Sequence, residues 1–190
     1  MNVFYLHENP KICAEMHLDK HCVKMMVEYA QLMCTAHRVL DGTPWEQLIV
    51  TKHGRGRKIK RWNHPTRDYY LYKATMVNHP TNVWLRQSKE NYEWLYEMWL
   101  CLHKEYQNRY GKYQYHKSVA KLKSILKNPP ANIPDVPFTE PAQAMPDDVK
   151  NDCTVTAYRD YYIKYKKGFA EWKTTIPTWF TEGINANLHI

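Results

Sequence analysis

The stretch NPKICAEMHLDKHCVKMMVEYAQLMCTAHRVL, residues 9–40, decides the fold, because it carries the longest helical pattern in the chain. Asn9 suits a helix N-cap, and Pro10 suits the first helical turn. The pattern runs without a break to Leu40, where Asp41-Gly42-Thr43-Pro44 is a stop signal. About thirty helical residues span about 45 Å, which predicts a helix that crosses the whole of a small domain.

The rest of the chain predicts more helices joined by long connections. A second long helix is expected from Pro80 to Gly111, where apolar side chains recur every three or four residues. We expect a mainly α fold, a compact single-domain helical bundle over residues 1–190 with two or three long helices, a short N-terminal extended segment and long loops. The remaining segments are an extended run at 2–6, a basic loop at 52–67, shorter helices at 118–127 and 154–173, an unstructured Pro-rich connection at 129–153 and an aromatic tail at 176–180.

Composition narrows the class of partner. The chain has 27 Lys and Arg against 19 Asp and Glu, a net charge of +8, together with 7 Trp and 15 Tyr. A basic chain rich in Tyr and Trp favours a polyanion, and nucleic acid first. No run approaches the roughly 20 apolar residues of a membrane span, and the N-terminus lacks the features of a secretory signal. The five cysteines form no CxxC pair and indicate reduced thiols, so we expect a cytoplasmic protein.

Most of the net charge is concentrated in the segment 52–67, which holds seven Lys and Arg and no acid. Two glycines within it predict a loop. Cations interleaved with an aromatic ring suit phosphate contacts and base stacking, although a solvated loop without a partner is the alternative. The residues expected to contact nucleic acid here are Arg55, Arg57, Lys58, Lys60, Arg61 and Trp62.

A polar stripe marks one side of the first predicted helix. On a wheel of 100° per residue, its members fall within roughly 80° of one another. The opposite side is expected to face the core and carries Val23, Met26, Tyr29, Ala30 and Met33. A solvated helix face is the simple interpretation, and an active-site floor is the alternative, with Glu28 held ionised by the cations around it. We expect three cations in or beside the stripe, Lys20, Lys24 and Arg38, to contact nucleic acid. The stripe consists of His17, His21, Lys24, Glu28, Gln31 and Thr35, and Lys20 and Arg38 flank it.

Cys13, His17 and His21 could suggest a metal site, since they recur every four residues. No Glu lies between the two histidines as the metalloprotease motif requires, and ligands spread over two helical turns cannot converge tetrahedrally. We therefore expect no metal and no cofactor.

Two motifs together resemble a known family. Asp19-Lys20-His21 is followed after six residues by Glu28, and the chain closes with Pro177-Thr178-Trp179-Phe180. This combination resembles the phage pyrimidine-dimer DNA glycosylases of the endonuclease V type, over about a third of the chain. The resemblance implies a small, basic, mostly helical enzyme that acts on double-stranded DNA.

The resemblance also implies roles for individual residues. In the family, the N-terminal α-amino group attacks C1′ of the deoxyribose, the base leaves, and the imine formed permits strand cleavage. A glutamate stabilises the positive charge that develops on the sugar, a role that falls here to Glu28 with His21 beside it. The nucleophilic amine belongs to Met1 if that residue is retained and to Asn2 if it is removed. The tail Trp179 is expected to lie against the opened duplex.

The sequence thus predicts a monomeric DNA N-glycosylase with AP-lyase activity that excises a damaged or modified pyrimidine. The positions where the family carries phosphate-binding arginines hold Val27 and Gln31 here. The alternatives are a non-catalytic nucleic-acid binder or phage effector on the same scaffold, and another enzyme that modifies a base without excising it.

Overall fold

The computed structural model describes residues 1–186, which form seven α-helices and one antiparallel β-hairpin. The expected mainly α class is confirmed, whereas the expected set of two or three long helices is not matched. No helix within these residues is long and apolar enough to cross a membrane. The elements are α1 (Pro10–Met16), α2 (Asp19–Asp41), β1 (Thr43–Val50), β2 (Gly56–Asn63), α3 (Pro80–Gln87), α4 (Lys89–Tyr110), α5 (Lys117–Leu126), α6 (Thr154–Tyr165) and α7 (Thr178–Ala186), with short 3₁₀ turns at Asp147–Val149 and Lys167–Phe169.

The first predicted helix is interrupted at His17 and Leu18, whose extended backbone separates α1 from α2. Arg109 of α4 donates to the carbonyls of Glu15 and His17 at 2.7 and 2.6 Å. The Trp172 indole donates to the carbonyl of the last α1 residue at 3.0 Å. These side chains satisfy carbonyls that a helix end leaves without partners, so the break is stabilised by distant parts of the chain.

The second predicted helix is also divided, at Ser88, whose backbone is extended (φ −148°, ψ 139°). The Ser88 hydroxyl accepts from the amides of Glu90 and Asn91 at 3.1 and 3.4 Å, which makes it the N-cap of α4. The same hydroxyl donates to the Val136 carbonyl at 2.6 Å. Ser88 therefore begins a helix where the sequence pattern included it inside one.

The C-terminal helical segment is shorter than predicted, and the aromatic tail is helical. α6 ends at Tyr165 and is followed by a 3₁₀ turn at Lys167–Phe169. Trp179 and Phe180 lie in the first turn of α7. The helix expected over 154–173 is therefore too long, and part of the aromatic tail at 176–180 is helical.

The basic segment 52–67 is not a loop, because half of it forms β2 of the hairpin. The strands pair in register from Thr43 with Asn63 through to the turn, where Gly54 adopts a left-handed conformation (φ 74°). Both hairpin faces are largely exposed. A strand with solvent on both sides lacks the alternation of apolar and polar residues that identifies strands in a sequence.

The Pro-rich stretch 129–153 has little regular structure but is fixed by hydrogen bonds. The Asp41 carboxylate accepts from the amides of Ala131 and Asn132 at 2.8 and 3.0 Å. Further along, the Asn91 side chain accepts from the Thr139 amide at 2.8 Å. The stretch is therefore held against the C-terminal end of α2 and the start of α4.

The core is built around α2, which packs against α3, α4 and α5. The extended N-terminal residues Val3, Phe4, Tyr5 and Leu6 are buried within it. The Arg159 guanidinium of α6 donates to the Leu6 carbonyl at 2.9 Å. The N-terminal segment is thus an internal element of the core.

Candidate nucleic-acid interface

The β-hairpin presents the cations predicted from the sequence. In the pairing register, Lys58, Lys60 and Trp62 share one face, while Arg57 and Arg61 share the other. The Lys60 ammonium lies over the Trp62 ring, 5.3 Å from its centroid. On these two faces the charges point outward, as phosphate contacts require.

Two of the hairpin cations have partners within the hairpin. Lys58 pairs with Glu46 at 3.0 Å, but both side chains are mostly exposed, so this pair contributes little to stability. Arg61 donates from Nε to the Gln47 side chain at 3.0 Å, which leaves its two terminal nitrogens for a ligand. Arg55 is exposed at the turn end.

A groove of about 890 Å³ separates the hairpin from residues 74–78 and α3. Four cations line it and, within the part of the chain that the structure describes, no carboxylate does. A concave site lined by cations attracts anions, because low-dielectric walls focus the field. The lining cations are Arg57, Lys60, Arg61 and Arg86.

Arg86 is a groove residue that sequence reasoning missed. It donates from Nη2 to the Val77 carbonyl at 2.9 Å. Its Nη1 is buried and has no hydrogen-bond partner. Burial lowers the pKa of the Arg86 guanidinium. Nothing in the sequence distinguishes this arginine, because its significance comes from the segment that folds against it.

Arg38 has a different role from the predicted one, because it is buried and its donors are used inside the protein. It donates to the carbonyls of Trp62 and Tyr72 at 2.7 Å each, and to those of Asp68 and Leu71 at 2.9 Å each. It also pairs with the Asp68 carboxylate, whose pKa is lowered by this hydrogen bond. Arg38 therefore fastens the hairpin base to α2 and has no donor left for phosphate.

The polar stripe of α2 is only partly exposed. Lys20 and Lys24 are exposed, and Lys24 pairs with the half-buried Glu28 at 3.2 Å. His17 and Thr35 are fully buried, whereas Val23, expected to face the core, is 39% exposed. Because neighbouring elements surround most of α2, its exposed strip is narrower than the wheel predicts and is rotated toward Val23.

His21 is a packing residue in this fold. Its ring stacks on Phe4, with centroids 4.1 Å apart, and its Nδ1 is 2.6 Å from the Tyr162 hydroxyl. Burial lowers the pKa of His21 to about 2, with smaller effects from nearby cations. A buried neutral imidazole cannot exchange protons with a substrate, so the predicted role beside Glu28 is not supported by its surroundings.

Trp179 belongs to the same cluster. It makes an edge contact with Tyr162, with ring centroids 6.1 Å apart, and the Arg159 guanidinium lies over its ring at 5.4 Å. It is half-buried, and its indole nitrogen is buried without a hydrogen-bond partner. Packing thus accounts for most of the Trp179 side chain, and only part of it faces outward.

The N-terminal residues contact the Pro-rich stretch 129–153. Asn2 donates from its side chain to the Ala144 carbonyl at 2.7 Å. Burial lowers the pKa of His79, the N-cap of α3, with a smaller effect from the N-terminal ammonium of Met1. His79 directly follows the groove residue Asn78.

Glu28 and the groove lie on the same side of α2. The groove residue Val39 follows Glu28 by eleven positions, and at about 100° per residue these return to within about 20° of the same direction. The rise between them is about 16 Å. A strand held in the groove could therefore extend along the helix to the carboxylate.

His37, Asp41 and His64 form a cluster whose ligand atoms lie within 4.8 Å of one another. His37 Nε2 faces the Tyr92 hydroxyl at 3.0 Å, so its Nδ1 has a lone pair. His64 Nδ1, however, accepts two backbone amides, which puts the proton on Nε2 and blocks it as a ligand. Arg67 lies 3.5 Å from His37 Nδ1 and opposes a cation there. The cluster fits a hydrogen-bonded junction better than a metal centre.

Comparison with known proteins found no match. No family model, no curated protein and no solved structure matches this chain.

Proposed function

We propose that this protein binds DNA through the β-hairpin and its groove, and that Glu28 and the N-terminal amine excise a pyrimidine base. The observation that carries the proposal is the groove, which within residues 1–186 is lined by four cations and no carboxylate. Its lining residue Val39 lies on the same side of α2 as Glu28. His21 and Arg38 have structural roles in this proposal.

The proposed chemistry follows from these groups. A neutral N-terminal amine attacks C1′ of the deoxyribose, and the C1′–N bond to the base breaks with its electron pair leaving on the base. The departing base takes up a proton from solvent, and the amine gives up one. Glu28 stabilises the positive charge on the sugar, which requires a carboxylate rather than a carboxylic acid. Glu28 pairs with Lys24 at 3.2 Å.

Binding is tested by the salt dependence of DNA affinity. Replacing the hairpin cations with Ala is expected to flatten the slope of log K against log salt by about 0.9 per lost phosphate contact. A matched control removes five exposed lysines around α5. An equal change in slope for the two variants would show that the hairpin is not the interface. The hairpin variant changes Arg55, Arg57, Lys58, Lys60 and Arg61, and the control changes Lys112, Lys117, Lys121, Lys123 and Lys127.

Catalysis is tested by borohydride trapping on duplexes that carry damaged or modified pyrimidines. The wild type is expected to form a covalent adduct, Glu28→Gln to lose it, and the exposed control Glu93→Gln to retain it. If no base is released while DNA binding persists, the protein is a non-catalytic binder. That second candidate is favoured by the burial of His21 and by the pairing of Glu28 with Lys24.

A further inference from the structure

We propose that the groove between the hairpin and α3 is a site for a nucleoside phosphate, with the phosphate at Arg86 and the base beside Trp62. This inference rests on the proposed DNA binding and specifies the chemistry of one part of that interface. The nucleoside phosphate could be an unpaired nucleotide of a DNA strand or a free nucleotide.

The charge of the site calls for an anion. One guanidinium nitrogen of Arg86, Nη1, is buried without a hydrogen-bond partner among residues 1–186, and an unsatisfied buried donor is costly. Arg57 and Arg61 line the opposite wall, and no carboxylate within residues 1–186 lines the groove to neutralise them. Arginines bind phosphate well, because the planar guanidinium can donate two parallel hydrogen bonds.

The helix that carries Arg86 holds other unsatisfied atoms, but they do not reach the groove. Within residues 1–186, three of the five buried side-chain atoms without a partner belong to α3, on Thr81, Asn82 and Arg86. Thr81 and Asn82 are fully buried and outside the groove lining, so Arg86 is the α3 residue that a ligand in the groove would meet.

The same wall is conformationally strained. Met76 lines the groove with φ 46°, a left-handed conformation that is unfavourable for a side chain of this kind. Its carbonyl accepts from the Asn82 side chain and the His79 amide at 2.9 Å each, which holds the conformation in place. Strain of this kind is found mostly where a binding site has to be shaped.

The size of the groove fits a nucleotide. A volume of about 890 Å³ is in the range of sites that enclose small molecules, and one or two nucleotides fill such a space. Trp62 adds an aromatic surface, and bases stack on aromatic side chains in single-strand sites regardless of sequence. Arg55 and Lys58 of the hairpin lie outside the groove lining and are left for the duplex backbone.

The test measures a fluorescent thymidine decamer by anisotropy at fixed salt, with the full-length protein. Arg86→Gln is expected to weaken binding about tenfold. Arg57→Gln, an exposed change on the opposite wall, is expected to do the same without affecting folding. Lys112→Gln after α4 removes the same charge outside both the groove and the hairpin, and a change below about twofold is expected. Equal effects of Arg86→Gln, Arg57→Gln and Lys112→Gln would overturn the proposal.

Competition separates the two sources of ligand. Thymidine 5′-monophosphate is expected to displace the decamer, and thymidine is not. Tighter binding of the decamer than of the monophosphate assigns the site to a strand, and the reverse assigns it to a free nucleotide. Equal competition by thymidine and its monophosphate would overturn the proposal. If the protein binds duplex DNA and Arg86→Gln does not weaken binding of the decamer, this inference is refuted and the proposed function is not. If the monophosphate binds in a way that depends on Arg86 but duplex DNA does not bind, the proposed function is refuted and this inference is not.

Discussion

Arg38→Met separates an anchoring role from a DNA-contacting role for this arginine. Methionine has a similar length but no donor, so the carbonyls of Trp62, Asp68, Leu71 and Tyr72 lose their partner. These carbonyls belong to the base of the hairpin and the segment that follows it. We expect the variant to be less stable and its hairpin to be less firmly attached to α2.

The magnitude follows from the hydrogen bonds that are lost. Four carbonyls at roughly 1 kcal/mol each give a loss of about 4 kcal/mol in the free energy of unfolding. The ion pair with Asp68 adds little, because the Asp68 side chain is 52% exposed. In a chain of this size, such a loss lowers Tm by roughly 8–16 °C.

Urea unfolding and salt-dependent DNA binding together provide the assay. The anchoring role predicts lower stability with an unchanged salt slope for the folded variant, since no phosphate contact is lost. The control Arg57→Met is expected to show the opposite pattern, with unchanged stability and a slope flatter by about 0.9. A stable Arg38→Met variant with a flattened slope would refute the anchoring role and return Arg38 to the DNA interface.

Two further predictions concern stability. Burial lowers the pKa of His17, His21 and His37 to about 4, 2 and 3, so the unfolded chain takes up their protons first as the pH falls. The free energy of unfolding should therefore decline from about pH 6.5 toward pH 4, by up to about 1.4 kcal/mol per pH unit for each histidine. Urea midpoints that stay constant from pH 7 to pH 5 would contradict this. Ser88→Ala removes the cap of α4 and should lower the free energy of unfolding, measured with urea, by about 1–2 kcal/mol. Ser124→Ala on the exposed side of α5 should leave it almost unchanged. Equal urea midpoints for the two variants would argue against capping by Ser88.

Local patterns predicted the helical class and the outer ends of the first helical stretch, but not the breaks inside the predicted helices. Asn9 and Pro10 correctly mark the start of α1, and the Gly42 region correctly marks the end of α2. The breaks at His17 and Ser88 depend on donors and acceptors supplied by residues far away in the chain. A period of 3.6 residues carries no information about such partners.

The candidate site shows the same division. Composition identified the cations of the segment 52–67, because charge density is a local property. The wheel could not show that Arg38 is enclosed or that Val23 is exposed, because burial depends on what packs against the helix. Arg86 becomes significant only through the groove formed with residues 74–78.

The buried N-terminal segment has a consequence for the order of folding. Asn2 bonds to Ala144, and Leu6 bonds to Arg159, so these residues gain their partners 142 and 153 positions further along the chain. During synthesis, Phe4 cannot contact Tyr162 until the segment through α6 has left the ribosome. Contacts of such large sequence separation slow folding, because the chain must close a long loop before it gains their energy. We therefore expect α3, α4 and α5 to associate with α2 early, and the N-terminal segment and α6 to complete the core together in a late step.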